Sequence, residues 1–238
     1  MHSSASHVIS VLARGSKLSQ AQVWEILNHL RQFHPAIHFA PQWVETRGDK
    51  DLETSLRSLS KDDFFTREID ELQLKGVCRI SIHSAKDLPK PLVKGLRCVA
   101  LTRGIDPSDS LVFRENESLE TLVEKALIGT SSERRDEAVK ALRQDLRCID
   151  IRGSIDERLA KLDCYEIDGL VVAEAALIRL KLTDRSRIRL KAATAPLQGR
   201  LAVIAREDDE EMAALFSLID GSDIDEQDFV FRNGPDAF

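Results

Sequence analysis

Short apolar runs alternate with amphipathic helical patterns along most of this chain, and this alternation constrains its fold most strongly. Residues 8–13 (V-I-S-V-L-A) predict a buried strand. Residues 17–33 follow, with apolar side chains that recur near a 3.6-residue period, which predicts a helix. Strands that alternate with helices in this way predict an α/β protein, in which mainly parallel sheets carry helices on both faces.

The same patterns predict further elements along the chain. Strands are predicted over 37–45, 79–83, 96–101, 127–129, 148–151, 169–173 and 201–205. Helices are predicted over 64–74, 132–142, 154–162, 175–182 and 209–219, with Asp62 or Asp63, Ser132 and Ser154 as caps. Polar residues 47–62 predict a mobile loop, and the acidic segment 221–238 predicts a loosely ordered tail.

Composition excludes several classes of protein. The 40 acidic residues outnumber the 34 basic ones and give a net charge of -6, which argues against a nucleic-acid-binding protein. No apolar run reaches the roughly 18 residues of a membrane span, and the start M-H-S-S-A-S-H lacks the features of a secretory signal. The four cysteines show no C-x-x-C spacing, so we expect reduced thiols, no metal site and a cytoplasmic protein.

Polar side chains directly follow four of the predicted strands. These strand ends carry Arg14, Gly15 and Ser16; Ser84, Ala85, Lys86 and Asp87; Thr130, Ser131, Ser132, Glu133, Arg134 and Arg135; and Arg152, Gly153 and Ser154. In open α/β sheets, ligands bind beyond the carboxyl ends of the strands, where helix N-termini present unpaired N–H groups. Each end combines Arg or Lys with hydroxyl groups, and both suit a polyanionic ligand. The sequence therefore predicts an anion site at these ends.

Each of these residue types also has a simpler explanation. A Ser or Thr after a strand can serve only as the N-cap of the next helix. Arg134 and Arg135 can lie on a solvated helix face, and Arg152 can be a surface ion-pair partner. The convergence of basic residues favours the ligand site, because chance would scatter them over both ends of the strands.

Asp87 is a carboxylate at a predicted strand end that is otherwise basic, one residue after Lys86. It can form a surface pair with Lys86, without chemistry. It can also act as a general acid, or stabilise a cation that forms during a reaction. His83 lies inside its strand and is expected to be buried and hydrogen-bonded rather than catalytic.

Seven stretches of the sequence carry a resemblance to a known family. They are A-R-G-S from Ala13, V-E-T-R-G-D from Val44, I-S-I-H-S-A-K-D-L-P from Ile80, D-P-S-D from Asp106, I-G-T-S-S-E-R-R from Ile128, I-R-G-S-I-D-E-R-L-A-K-L from Ile151 and P-L-Q-G from Pro196. By these motifs, the chain resembles the porphobilinogen deaminases, also called hydroxymethylbilane synthases. The motifs keep the order and approximate spacing of that family over residues 8 to about 206.

The resemblance implies a transferase of haem biosynthesis. Such an enzyme joins four porphobilinogen molecules head to tail, releases ammonia from each and hydrolyses the product to hydroxymethylbilane. Porphobilinogen carries acetate and propionate groups, so a growing polypyrrole is dense in carboxylates, which explains many arginines in one site. By the resemblance, Asp87 would hydrogen-bond the pyrrole nitrogens and stabilise the positive charge that develops as ammonia leaves.

The resemblance also implies which residues bind the substrate or its cofactor. Carboxylates would be held by Arg14, Arg134, Arg135, Arg152 and Arg158, and Arg179 lies near a further family arginine. Acetate groups, propionate groups or the cofactor would be bound by Ser16, Ser84, Lys86, Thr130, Ser131 and Ser132. Gly153 and Gln198 lie at matching positions and complete the predicted binding set.

The sequence departs from the family at two places. Family members usually have a third, C-terminal domain with a G-G-C segment, whose cysteine anchors a dipyrromethane cofactor through a thioether. Segment 208–238 is short and no cysteine follows G-G, so we expect that domain to be absent and leave the anchor unassigned. In addition, S-K-D-D (60–63) replaces a G-G-K-G segment, so Lys61 or Asp62 stands where the lid's basic residue is expected.

Three interpretations of the first departure remain open. The cofactor could bind non-covalently or through another cysteine, the chain could bind polypyrroles without turnover, or it could depend on a partner. The first is favoured because Asp87 and the arginine set are retained.

The resemblance further implies two domains of the type seen in periplasmic binding proteins, with the active cleft between them. We place domain 1 at residues 1–102 and 199–220, and domain 2 at 103–198. The predicted function is deamination and polymerisation of porphobilinogen by a protein that is expected to be a monomer and to bind neither nucleic acid nor membranes. The alternative is a non-catalytic binding protein or sensor for polypyrroles or other small polycarboxylates.

Overall fold

The computed structural model describes residues 8–57 and 63–221, which form two compact units. The first contains residues 8–50, 63–104 and 200–221, and the second contains residues 51–57 and 105–199. The predicted boundaries placed residues 51–57 in the first domain, whereas the structure groups them with the second unit. Predictions for Lys61, Asp62 and segment 222–238 concern residues outside the described ranges.

The first unit is built on a five-stranded sheet. Its strands are β1 (Val8–Arg14), β2 (His38–Val44), β3 (Ile80–Ser84), β4 (Leu96–Leu101) and β10 (Leu201–Arg206). The order across the sheet is β2-β1-β3-β10-β4. Strands β2 and β3 pair with β1 in parallel, whereas β10 is antiparallel to both of its neighbours. Four of the five strands therefore point the same way.

Helices cover both faces of this sheet. They are α1 (Lys17–Leu30), α2 (Arg47–Lys50), α3 (Arg67–Leu74) and α7 (Glu210–Phe216). Neighbouring side chains of a strand point to opposite faces. Val11 accordingly packs in the cluster that holds α1 and α7, while Leu12 packs with Ile69 of α3 on the other face.

The second unit repeats this plan with a sheet of its own. Its strands are β5 (Asp109–Val112), β6 (Leu127–Thr130), β7 (Arg147–Asp150), β8 (Gly169–Ala173) and β9 (Arg187–Arg189). The order is β7-β6-β8-β5-β9. Strands β7 and β8 are parallel to β6, and β5 is antiparallel to β8 and β9. Both units thus insert one antiparallel strand at the fourth position.

Three helices pack against the second sheet: α4 (Glu133–Leu142), α5 (Ile155–Asp163) and α6 (Glu174–Arg179). Val171 of β8 packs in the cluster of α4, whereas Leu170 and Val172 pack in the cluster that contains α5 and α6. The prediction of an α/β fold with mainly parallel sheets and helices on both faces is confirmed. No helix within residues 8–57 and 63–221 is long and apolar enough to cross a membrane.

Three local predictions are wrong. Strands β5 and β9 were missed, because each has only three or four residues and is specified by pairing partners that are distant in sequence. The predicted loop contains the single helical turn α2. Asp63 does not cap α3, whose N-cap is Thr66; its carboxylate instead pairs with the Arg67 guanidinium at 2.8 Å.

Candidate functional site

In the first unit, two predicted strand ends lie at one edge of the sheet. Strands β1 and β3 are parallel neighbours, so Arg14 and Ser84 end at the same side. Ser16 caps α1 through its hydroxyl, which accepts a hydrogen bond from the Ser19 amide at 3.2 Å. Gln22 of α1 donates to the Ser84 hydroxyl at 2.8 Å. Arg14, Ser16 and Ser84 therefore lie at the same edge of the first sheet.

Asp87 lies in a short 3₁₀ turn, Ala85–Asp87, that directly follows β3. Asp87 and its neighbour Lys86 are both half-buried. No hydrogen bond or ion pair ties the Asp87 carboxylate to the part of the chain that the structure describes. Both carboxylate oxygens can therefore accept hydrogen bonds from a ligand.

Arg14 is fixed by two contacts that the sequence analysis missed. Its Nε donates to the Asp49 carboxylate at 3.0 Å, its Nη2 forms an ion pair with the same group, and its guanidinium lies 4.4 Å from the centroid of the Phe65 ring. Burial would raise the pKa of Asp49, but Arg14 and the bonds from Thr46 leave it below its usual value. The Arg14 guanidinium is thus oriented by Asp49 and Phe65, while its side chain stays partly exposed.

His83 is buried and hydrogen-bonded, as predicted. Its Nε2 lies 2.9 Å from the Ser81 hydroxyl, which donates to Gln73 Oε1 at 2.7 Å. Because the Ser81 hydroxyl donates its only proton to Gln73, it can only accept a hydrogen bond from His83. The Nε2 of His83 is therefore the donor, and the ring is in the Nε2–H form. Burial, and secondarily the charge of Arg14, lowers the pKa of His83 to about 3.

In the second unit, the ends of β6 and β7 also meet at one edge, because these strands are parallel neighbours. Ser131 follows β6, and its hydroxyl donates to the Ile151 carbonyl. The same hydroxyl accepts a bond from Arg158 Nη1 at 3.2 Å. Ser132 is the N-cap residue of α4, but its side chain makes no capping bond. The predicted residues Ser131, Ser132 and Arg158 therefore lie close together.

Thr130 is fully buried at the end of β6. Its hydroxyl donates to the carboxylate of Asp136 in α4 and accepts a bond from Arg57 Nη2 at 3.0 Å. Arg57 Nη1 also lies 2.8 Å from Asp136. The Thr130 side chain is therefore committed to this internal network. Arg57 was not predicted, since it comes from a polar segment with no periodic signal.

Arg152 and Gly153 follow β7 and line a pocket of about 410 Å³. Arg152 Nη2 donates to the Asp51 carbonyl at 2.6 Å. Gly153 has a φ of +105°, a conformation that favours glycine. Arg158 Nε donates to the Gly153 carbonyl at 2.8 Å, which joins this turn to α5. These predicted residues form one connected set at the strand end.

Arg134, Arg135 and Gln198 converge on Asp109, which is 2% exposed. Arg134 Nη2 lies 2.7 Å from Oδ2, Arg135 Nη2 lies 2.6 Å from Oδ1, and Gln198 Nε2 lies 3.0 Å from Oδ1. The alternative in which the two arginines occupy a solvated helix face is wrong. Arg179, the further arginine that the resemblance suggests, donates to the Gly199 carbonyl at 2.9 Å.

Burial by itself would raise the pKa of Asp109, but the two guanidinium groups lower it below its usual value. The carboxylate is therefore ionised at neutral pH. Asp109 is the second acid of the D-P-S-D motif, and no role was predicted for it. Its place in that motif is the one feature of the sequence that pointed to it.

Comparisons with known proteins found matches that cover most of this chain. Residues 9–214 match a family model described as "Porphobilinogen deaminase, dipyromethane cofactor binding domain". A porphobilinogen deaminase of Desulforudis audaxviator is 38% identical over 89% of this chain and 70% of its own length. A probable porphobilinogen deaminase of Chlamydia pneumoniae is 37% identical over 89% of both chains.

Solved structures with low sequence identity share the fold. The reduced form of the regulatory domain of OxyR2 from Vibrio vulnificus has a TM-score of 0.51 at 10% identity, over 92% of this chain and 99% of its own. The BenM effector binding domain has a TM-score of 0.51 at 13% identity, over 91% of both chains. These likenesses confirm the predicted periplasmic-binding-protein type of α/β fold.

Proposed function

Because this chain belongs to the porphobilinogen deaminase family, we propose that it condenses porphobilinogen to hydroxymethylbilane, with Asp87 as the catalytic carboxylate. In each addition, the aminomethyl carbon of one porphobilinogen loses ammonia and forms a carbon–carbon bond to the next pyrrole, whose ring carbon loses a proton. Water finally releases the four-ring product as its hydroxymethyl form.

The arrangement around Asp87 is the observation that supports this role. Loss of ammonia leaves a positive charge that is shared with the pyrrole nitrogen. A fixed carboxylate beside that nitrogen stabilises the charge, and a partly buried one does so better than an exposed one. Asp87 is half-buried and makes no bond within the described residues, so its oxygens can accept the pyrrole N–H.

The basic and hydroxyl residues at the strand ends would bind the carboxylates of the polypyrrole. Arg14 and Ser84 supply this chemistry in the first unit, and Arg134, Arg152 and Arg158 supply it in the second. Guanidinium groups suit this task because they bind carboxylates through two parallel N–H bonds. Since Thr130 is buried and bonded to Asp136 and Arg57, we assign it a supporting part only.

The dipyrromethane cofactor of this family supplies the pyrrole end to which the first substrate ring is added. The cations and hydroxyls described above fit its carboxylate groups. The four cysteines do not fit a covalent anchor at the strand ends. Cys78 and Cys98 are buried, Cys164 lies at the C-terminal end of α5, and burial raises the pKa of the Cys148 thiol to about 11.

Ammonia release from porphobilinogen tests the proposal. We expect the purified protein to release ammonia and to form a product that oxidises to uroporphyrin. Asp87→Asn removes the negative charge at similar volume and should reduce turnover by at least about a hundredfold, as expected for loss of a charge-stabilising group. Asp184→Asn, which changes an exposed aspartate in the loop after α6, is the matched control and should keep the wild-type rate.

Two results would contradict the proposal. Saturable binding of porphobilinogen to the wild-type protein without ammonia release would favour a binding protein. Unchanged turnover in Asp87→Asn, with Asp184→Asn active, would remove Asp87 from the chemistry.

A further inference from the structure

Asp109 holds three of the predicted binding residues of the second unit on a single carboxylate. Arg135 donates to Oδ1 from Nη2 at 2.6 Å and from Nε at 3.1 Å, and Gln198 donates to the same oxygen. Arg134 donates to Oδ2 at 2.7 Å, and its Nη1 donates to the Ala193 carbonyl at 2.5 Å. All these groups lie within one unit.

The direction of β5 explains why this acid meets the strand ends. Because β5 is antiparallel to β8, its first residue, Asp109, pairs with Ala173, the last residue of β8. The amino end of β5 therefore lies at the edge where the parallel strands finish. Asp109 is thus placed below the first turn of α4, which carries Arg134 and Arg135.

The two arginines differ in how much they are exposed. The Arg135 side chain is 11% exposed and binds one carboxylate oxygen twice, so it anchors the cluster. The Arg134 side chain is 28% exposed and uses one N–H on Asp109 and one on Ala193. A guanidinium has five N–H donors, so three of those of Arg134 make no bond to residues 8–57 and 63–221 and can bind a ligand while the cluster stays intact.

We propose that Asp109 is a positioning residue for substrate binding, which acts by holding the Arg134 guanidinium in place to receive a carboxylate of the polypyrrole. This inference rests on the proposed function. The Asp109 carboxylate offsets the repulsion between the guanidinium groups of Arg134 and Arg135, and its bond to Arg134 orients that guanidinium. A side chain that is already oriented loses less conformational freedom when the ligand binds.

Substitutions of Asp109 in two backgrounds test this role. Asp109→Asn should raise the KM for porphobilinogen about three- to tenfold, the effect of ordering one long side chain, while kcat stays within about twofold. Asp109→Glu keeps the charge but displaces the carboxylate, and it should raise KM in the same direction. In an Arg134→Gln background, whose KM is already raised, either change should add less than about twofold.

The matched control is Asp106→Asn, in the other acid of the D-P-S-D motif. Asp106 accepts a hydrogen bond from the Ser108 amide at 2.9 Å and pairs with Arg189 at 2.6 Å, so its partners are other residues than Arg134. This variant should keep the wild-type KM. Urea unfolding of each variant identifies those that are folded under assay conditions, and Asp109→Glu carries the test if Asp109→Asn is unfolded.

The outcomes separate this inference from the proposed function. If the wild-type protein releases no ammonia, the proposed function and the role of Asp109 are both overturned. If it is active but Asp109 variants raise KM equally with and without Arg134, Asp109 acts through the fold and the inference is overturned. An unchanged KM, or a fall in kcat alone, overturns it as well.

Discussion

Replacement of His83 by glutamine should remove a large part of the acid sensitivity of the first unit. In the structure, His83 is buried, and its Nε2–H donates to the Ser81 hydroxyl. Glutamine offers an Nε2–H donor to the same hydroxyl but takes up no proton. The substitution therefore keeps the hydrogen bond and deletes only the titration.

The size of the effect follows from proton linkage. The pKa of His83 falls from 6.5 in the unfolded chain to about 3 in the folded protein. Below pH 6.5 the unfolded chain binds a proton that the folded protein does not, so stability is complete above 6.5 and declines as the pH falls toward 3. Each pH unit in this window lowers the free energy of unfolding by about 1.4 kcal/mol, or about 2.5 kcal/mol between about pH 7 and pH 4.5.

Tryptophan fluorescence during urea unfolding can measure this loss selectively. Both tryptophans of the chain, Trp24 and Trp43, lie in the first unit with His83. Free energies of unfolding measured between about pH 7 and about pH 4.5 should fall about 2.5 kcal/mol further in the wild type than in His83→Gln.

The exposed His34, changed to Gln, is the matched control for this experiment and should retain the wild-type pH dependence. Carboxylates that also titrate in this range contribute equally to all three proteins, so they cancel in the comparison. If His83→Gln loses stability on acidification as steeply as the wild type, His83 does not stay neutral in the folded protein and the linkage argument is refuted.

Two other predictions concern the second unit. Gly153→Ala should lower the free energy of unfolding by about 1–3 kcal/mol, because φ is +105° and the new Cβ would lie 2.8 Å from Glu157 Oε2. Gly15→Ala, whose Cβ meets nothing nearer than 3.8 Å, is the control; equal urea midpoints would refute this. Iodoacetamide at about pH 8 should modify exposed Cys164 before half-buried Cys148, whose pKa is about 11; peptide mass spectrometry showing the reverse order contradicts this.

Periodicity in the sequence was sufficient to predict most of the elements. β8 (G-L-V-V-A) is a continuous apolar run, and in β1 only Ser10 interrupts the apolar residues before Arg14, because helices cover both faces of each sheet. Such runs are visible in the sequence without knowledge of the pairing partners. β5 and β9 escaped prediction because their three or four residues carry no period of their own. Their conformation is set by pairing with β8 and with each other.

The candidate site was likewise predictable from the sequence only in part. The sequence alone determined that basic and hydroxyl residues follow the parallel strands, because strand ends are fixed by local patterns and the rule for ligand sites concerns those ends. It therefore identified Asp87, Arg14 and Arg134 as candidates. The sequence could not determine which internal acids Arg14 and Arg134 bind, since such contacts join distant parts of the chain.

Only the tertiary structure decided those pairings. Asp49 reaches Arg14 across 35 positions because the carboxyl ends of the parallel neighbours β1 and β2 lie at one edge of their sheet. Asp109 reaches Arg134 across 25 positions because the amino end of the antiparallel strand β5 lies at the edge where the parallel strands of its sheet finish. Burial then decides what each group does: it keeps His83 neutral and commits Thr130 to an internal network, whereas Asp87 remains half-buried with its oxygens unbonded within the described residues. Residue identity sets which chemistry is possible, and solvent access with neighbouring charge sets which of it is available.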